Sequence, residues 1–153
     1  MDVKVINPFL EAAVNVLKTM AMVEPTPGAP FLKKDFNAIG DVSGIIGITG
    51  DAQGSMSISF SSSCIRAIVG NLFGSTVDEI DAEVRDAVGE LTNMICGDAR
   101  RRLEEINITL QAGTPTVVSG KDHVVSHVSN GPRLGIPFDT PDGAFVIEVA
   151  LVG

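Results

Sequence analysis

The sequence predicts an α+β fold: a mostly antiparallel β-sheet with helices packed on it, one of them long and bearing a motif. Three observations lead there. Two runs of alternating or β-branched residues, Asp41–Thr49 and Ser55–Ser61, flank Gly50-Asp51-Ala52-Gln53-Gly54, which has the composition of a hairpin turn. Near the other end, Thr140-Pro141-Asp142-Gly143 is a strong turn signal between two further strand-like runs. Connections are short throughout, which favours antiparallel neighbours with helices laid on one face.

The first element is a helix. Asn7 is suited to its N-cap and Pro8 to its first turn, where the missing N–H costs nothing. Phe9, Leu10, Ala13, Val14, Leu17 and Met20 recur at three- and four-residue spacing and give one apolar stripe. The stretch Glu24-Pro25-Thr26-Pro27-Gly28-Ala29-Pro30 ends it and reads as a connector. From Phe31 to Phe60 the signal is that of strands. Ser61-Ser62-Ser63 starts a short apolar helix that ends near Gly74, and Asp78 or Asp81 opens a longer one reaching about Glu105. Strands then follow near Ile108–Ala112, over Pro115–Gly120, from about His123 to Pro137, and from Ala144 to Val152. The order, helix and hairpin and then helix and hairpin again, suggests two similar halves. Their direct identity is too weak to define a repeat.

A chain of 153 residues fits one domain spanning 1–153 and can bury a core without staples. Eleven basic against nineteen acidic residues leave a net charge of −8. So acidic a chain has little charge for a phosphate-backbone interface, and no nucleic-acid partner is expected. No apolar run is long enough to span a bilayer, and the start Met-Asp-Val-Lys-Val lacks the features of a secretory signal. The expectation is a cytoplasmic protein with no membrane partner. Cys64 and Cys96, each in an apolar stretch, then read as buried reduced thiols.

The most informative segment is Glu90-Leu91-Thr92-Asn93-Met94-Ile95-Cys96-Gly97. At about 100° per residue, Val84, Val88, Leu91 and Ile95 stack into a core stripe. Glu90 and Asn93 project about 60° apart on a neighbouring face, and Gly97 falls within about 20° of Glu90. Glu83 and Arg101 share that side. Gly97 is anomalous, because glycine inside a helix costs roughly 1 kcal/mol relative to alanine and no stop signal follows. Such a residue marks close approach of a strand of the same chain or of a partner. On spacing alone, an ordinary solvated helix face accounts for Glu90 and Asn93.

Here the chain resembles a family. Glu90-Leu91-Thr92-Asn93 with Gly97 is similar to the Glu-Leu-x-Asn-x-x-x-Gly motif of the CheC/CheX/FliY phosphatases of bacterial chemotaxis. Asn7-Pro8-Phe9, Ile45-Ile46-Gly47-Ile48-Thr49-Gly50 leading through Gly54-Ser55 to Ser57-Ile58-Ser59-Phe60, and Pro115-Thr116-Val117-Val118 extend the resemblance over most of the chain. The match is better to CheX than to the longer members. The resemblance implies a CheC-like fold and hydrolysis of the aspartyl phosphate of a CheY-type response regulator. It implies Glu90 and Asn93 as catalytic residues: Asn93 holds the attacking water through its amide, and Glu90 pairs with a lysine of the regulator. A general-base role for Glu90 is less favoured, since the loose phosphoryl transition state needs little deprotonation of the nucleophile. Gly97 and Arg101 would contact the partner. No cofactor is expected on this chain, the Mg2+ belonging to the phosphorylated partner. A homodimer is also implied. Members with two sites carry a second such motif in the first half, but Glu11 and Asn15 here have the wrong spacing, so one site per chain is expected.

Rival readings exist. A regulator-binding module of the same fold, without turnover, would keep the docking face but has no need of the amide at that angle. His123 and His127 have ligand-like spacing, yet they lack the glutamate of His-Glu-x-x-His and a nearby third ligand. They read as strand histidines. The glycines at 44, 47, 50 and 54 suggest a phosphate loop, but no lysine accompanies them, so tight packing and a turn explain them better. Arg100-Arg101-Arg102 suits the negative end of a helix dipole, with an anion or regulator contact as the sharper alternative. Asp51, Asp139 and Asp142 are expected in turns.

Overall fold

A computed structural model describes residues 3–35, 38–120, 123–125 and 133–152. In chain order the elements are α1 (Val3–Ala21), β1 (Thr26–Pro27), β2 (Phe31–Lys33), β3 (Val42–Gly50), β4 (Gln53–Phe60), α2 (Ser62–Phe73), α3 (Ala82–Glu104), β5 (Leu110–Ala112), β6 (Thr116–Ser119), β7 (Arg133–Thr140) and β8 (Gly143–Val152).

Two hairpins form the middle of the sheet. The β3–β4 pair closes through Asp51-Ala52, and the β7–β8 pair through Pro141-Asp142, where the Thr140 side chain accepts from the Asp142 N–H. The hairpins join along β4 and β8, with Phe60 opposite Phe145, Ile58 opposite Ile147 and Met56 opposite Val149. The described order is β1-β7-β8-β4-β3-β5, with β2 also on β7 and β6 also on β3, every pair antiparallel. This is the α+β architecture expected from the sequence.

Because side chains alternate along a strand, one register fills both sheet faces. On the helical side Val42, Ile46, Met56, Ile58, Phe60, Ile136, Phe138, Phe145, Ile147 and Val149 are buried with the apolar stripes of α1, α2 and α3. Phe138 and Phe145 stack at 4.7 Å between ring centroids. On the opposite face the alternate positions are also buried, and beside Val146 and Ala150 several of them are polar: Ser43, Ser55, Ser57, Ser59 and Glu148. There the Ser43 hydroxyl lies 2.6 Å from Ser59 and 2.6 Å from His123 Nε2.

Local chemistry sets the helix ends. Ser61 caps α2 by accepting from the Cys64 N–H, Gly74 closes that helix, and the Asp81 side chain accepts from the Val84 N–H to open α3. The start of α1 differs from expectation. The helix begins at Val3 rather than at an Asn7 cap, and Pro8 lies inside it. Proline costs one backbone bond there, but the extra turn buries Ile6 a turn from Phe9. Met20 also departs from its predicted stripe and is 45% exposed. Its phase is right, but it sits in the last turn of α1 beside a cleft. Of the strand expected from His123 to Pro137, the described residues show β7 from Arg133 and, over 123–125, only an isolated bridge at Val124; 126–132 lie outside the described residues. His127 lies outside the described residues. Thr26-Pro27, read as a connector, pairs with Asp139 and Phe138 as a short edge strand, where proline is tolerated.

Candidate functional site

The site is built on α3, whose 23 residues span about 35 Å at 1.5 Å per residue. Its buried stripe contains Val84, Val88, Leu91 and Ile95 as expected, widened by Ala87, Thr92, Cys96, Ala99 and Leu103. That stripe faces the sheet and α1, so the remaining arc is presented outward. Glu90 and Asn93 lie on that arc, both exposed, near the middle of the helix and away from its fraying ends. Neither makes a hydrogen bond or ion pair with a described residue. Both side chains are therefore free to meet an incoming molecule.

The height of this surface is set by one close contact. A Cβ at Gly44 of β3 would lie 2.0 Å from Thr92 Oγ1, so only glycine lets the helix sit this near the strand. Thr92 is fully buried and donates its hydroxyl to the Val88 carbonyl at 2.7 Å, which fixes its rotamer. Thr92 immediately precedes Asn93, and a Cβ at Gly89, between Val88 and Glu90, would lie 3.5 Å from the Val117 side chain of β6. The motif backbone is thus held from below by β3 and β6.

Gly97 behaves otherwise. A Cβ there would meet nothing within 4 Å. Packing against a strand of the same chain, one of the two explanations for this glycine, does not occur. Arg101, expected to contact a partner, is exposed and lies 2.6 Å from Asp98 and 3.5 Å from Glu105. Asp98 is the hub of a polar seam between α3 and α1, accepting from Arg101, Arg102 and Asn15 while Arg102 also pairs with Glu11 at 3.1 Å. Burial pushes the Asp98 carboxyl up, but its hydrogen bonds from Arg101 and Arg102 outweigh this and hold it below the usual range. Glu11 and Asn15, whose spacing does not fit a second motif, are engaged in this seam. Arg100 donates to the Leu110 carbonyl at 3.0 Å.

Two depressions flank Glu90. A cleft of about 430 Å³ is lined by Met20, Leu72, Phe73, Ala87, Leu91 and Met94, with Glu83, Asp86 and Glu90 on its acidic side. A more polar groove of about 590 Å³ lies between α3 and the Thr114-Pro115 segment, and Asn93 lines it with Arg85, Asp86 and Glu90. The cleft is not legible in the sequence: Met20 falls in phase with the apolar stripe of α1, and Phe73, 50% exposed at the end of α2, carries no signal of its own.

The other candidates are accounted for structurally. His123 is buried and lies off the strands; its Nδ1 donates to the Gly120 carbonyl at 2.8 Å, leaving Nε2 to accept from Ser43. Cys64 and Cys96 are free and buried, and burial pushes each thiol up to about 11. Asp51 and Asp142 lie in the hairpin turns, with Asp51 accepting from the Thr109 N–H at 2.8 Å. Asp139, expected in a turn, is instead part of β7 opposite Ala144. No helix among the described residues is long and apolar enough to cross a membrane.

Comparison with known proteins agrees with this architecture. The family described as chemotaxis phosphatase CheX matches residues 42–139, which include the whole motif helix. A CheY-P phosphatase CheX of Thermotoga maritima is 30% identical over 123 residues, covering 80% of this chain and 79% of that protein. A CheC-like superfamily protein from Shewanella sp. PV-4 superposes with a TM-score of 0.94 at 46% identity, each chain covered in full. The CheX of a CheX–CheY–BeF3–Mg2+ complex from Borrelia burgdorferi superposes with a TM-score of 0.82 at 28% identity, 97% of each chain being covered. With the family matching residues 42–139 and the fold and most of the length in common with these proteins, the chain belongs to the CheX family of chemotaxis phosphatases.

Proposed function

We propose that this chain accelerates hydrolysis of the aspartyl phosphate of a CheY-type response regulator, from one site per chain in a single 1–153 domain. The reading is supported chiefly by one observation: Glu90 and Asn93 stand exposed a turn apart in the middle of α3, without partners among the described residues. An acyl phosphate is already reactive, so such a catalyst has mainly to position a nucleophile. The Asn93 carboxamide offers a donor and an acceptor to one water, in line with the breaking P–O bond. Glu90 pairs with a lysine of the regulator and seats the helix. Gly97, with open space where a side chain would stand, lets the partner's surface lie against α3. Arg101 contacts the partner at the rim by exchanging its exposed pair with Glu105.

Mg2+ resides on the regulator, where it neutralises the phosphoryl oxygens; this chain contributes no metal ligand. The assembly is a cytoplasmic homodimer that takes part in chemotaxis or a related two-component pathway.

The test uses candidate regulators of the host labelled with a small acyl phosphate. Wild-type protein speeds phosphate loss from at least one. Asn93→Ala lowers kcat by about 100-fold or more with its melting temperature unchanged, because positioning of the nucleophile is lost while nothing buried is removed. Glu90→Ala mainly raises KM. Binding of a regulator by wild-type protein with no gain in dephosphorylation would refute catalysis and leave a binding module of the same fold.

A further inference from the structure

The cleft beside Glu90 is unused by the chemistry just proposed, yet it shares a wall with it. Its floor is apolar, formed by Leu72, Ala87, Leu91 and Met94, and its lips are the exposed Met20 and Phe73. Glu83, Asp86 and Glu90 follow one another at three- and four-residue spacing along its α3 side. Like charges so placed repel one another. None of the three pairs with a cation among the described residues. An apolar floor beneath an unneutralised row of carboxylates is the complement of an apolar side chain carried next to a base. Methionines at lip and floor can adjust to the shape of what enters.

We infer that this cleft takes an apolar side chain of the phosphorylated regulator, borne on a segment with an adjacent lysine or arginine, and so helps determine which regulator is accepted. The inference rests on the phosphatase reading above. Glu90 belongs to both surfaces, so the regulator held at Glu90 and Asn93 already lies at the mouth of the cleft. Charge argues against a second copy as occupant. The chain carries a net −8, and its Arg100-Arg101-Arg102 cluster is engaged with the Leu110 carbonyl, Asp98, Glu105 and Glu11.

The experiment measures Kd for host CheY-type regulators loaded with BeF3 and Mg2+, together with KM and kcat for the acyl-phosphate-labelled forms. It compares the full chain with Met20→Ser/Phe73→Ser and Asp86→Lys variants. Both positions of the double variant are exposed, and its fold is checked by thermal melting. The double variant is expected to raise Kd and KM about tenfold or more while kcat stays within twofold, the signature of lost uniform binding. Asp86→Lys weakens binding similarly, and its effect shrinks as salt rises. Kd and KM within twofold of wild type for a folded double variant would overturn the inference. So would a change in sedimentation with KM unaltered, which would assign the cleft to self-association. Wild-type protein that dephosphorylates no regulator defeats the phosphatase reading instead; a Kd for the BeF3 form that still rises in the double variant keeps the cleft assignment standing alone.

Discussion

Gly44→Ala tests the proposition that the depth of α3 on the sheet governs the motif. The new methyl would fall 2.0 Å from Thr92 Oγ1 and 3.1 Å from Thr92 Cβ. Side-chain carbons do not approach oxygen that closely, so about 1 Å must open between strand and helix, or Thr92 must rotate. Rotation breaks the 2.7 Å bond from Thr92 to the Val88 carbonyl in a fully buried setting. Losing that bond costs roughly 1 kcal/mol, and overpacking adds about 1–3 kcal/mol. The sum, about 2–4 kcal/mol, lowers the melting temperature by roughly 5–12 °C for a chain of this size. A shift of about 1 Å at Thr92 also displaces Asn93, and misplacement on that scale costs up to about 100-fold in rate. Urea unfolding and single-turnover dephosphorylation read the two effects. Adding Thr92→Ala removes the clashing oxygen, so the double variant should recover at least about 1 kcal/mol relative to the sum of the singles. A Gly44→Ala protein within about 0.5 kcal/mol of wild type, with an unchanged rate, would refute the reasoning.

Two further outcomes are expected. At Gly97 stability and function should move in opposite directions. Gly97→Ala raises the melting temperature by about 2–4 °C, since alanine is roughly 1 kcal/mol better in a helix and meets nothing within 4 Å. Gly97→Leu keeps the fold but weakens binding of the BeF3-loaded regulator about tenfold or more by filling the docking face, and titration calorimetry showing no such loss would remove Gly97 from the interface. Asp98→Asn should cost about 1–2 kcal/mol at pH 7 through its weakened bonds to Arg101, Arg102 and Asn15. The Asp98 carboxyl is held below its ordinary value in the folded chain. Its contribution is therefore present above the unfolded value of about 3.9 and is lost as pH falls through the folded value. Urea titrations of wild type and variant should converge toward pH 3; an equal gap at both pH values would contradict this role.

The helices and hairpins were legible because their punctuation is chemical and local. Asp81, Ser61, Gly74 and the Thr140–Gly143 turn act through bonds to residues a few positions away. The outward placement of Glu90 and Asn93 followed from the phase of Val84, Val88, Leu91 and Ile95 in the same way. What escaped the reading depends on distant chain. Pro8 lies within a helix because Ile6 gains a buried place upstream, and Met20 is exposed because a cleft opens where its stripe should be covered. Ser55, Ser57 and Ser59 alternate like a solvent-facing set, yet they are buried on the second face. The cleft itself is assembled from α1, α2 and α3, and no single stretch of sequence announces it.

The motif occupies the middle of the longest helix, clamped through Thr92 onto Gly44, rather than a loop. Its two side chains hang from a backbone whose conformational freedom was surrendered during folding, so association need order little besides the side chains themselves. Speed at this site should consequently be limited by encounter and by rearrangement within the regulator. In any structure of the pair, the larger adjustment is to be sought on the regulator's side.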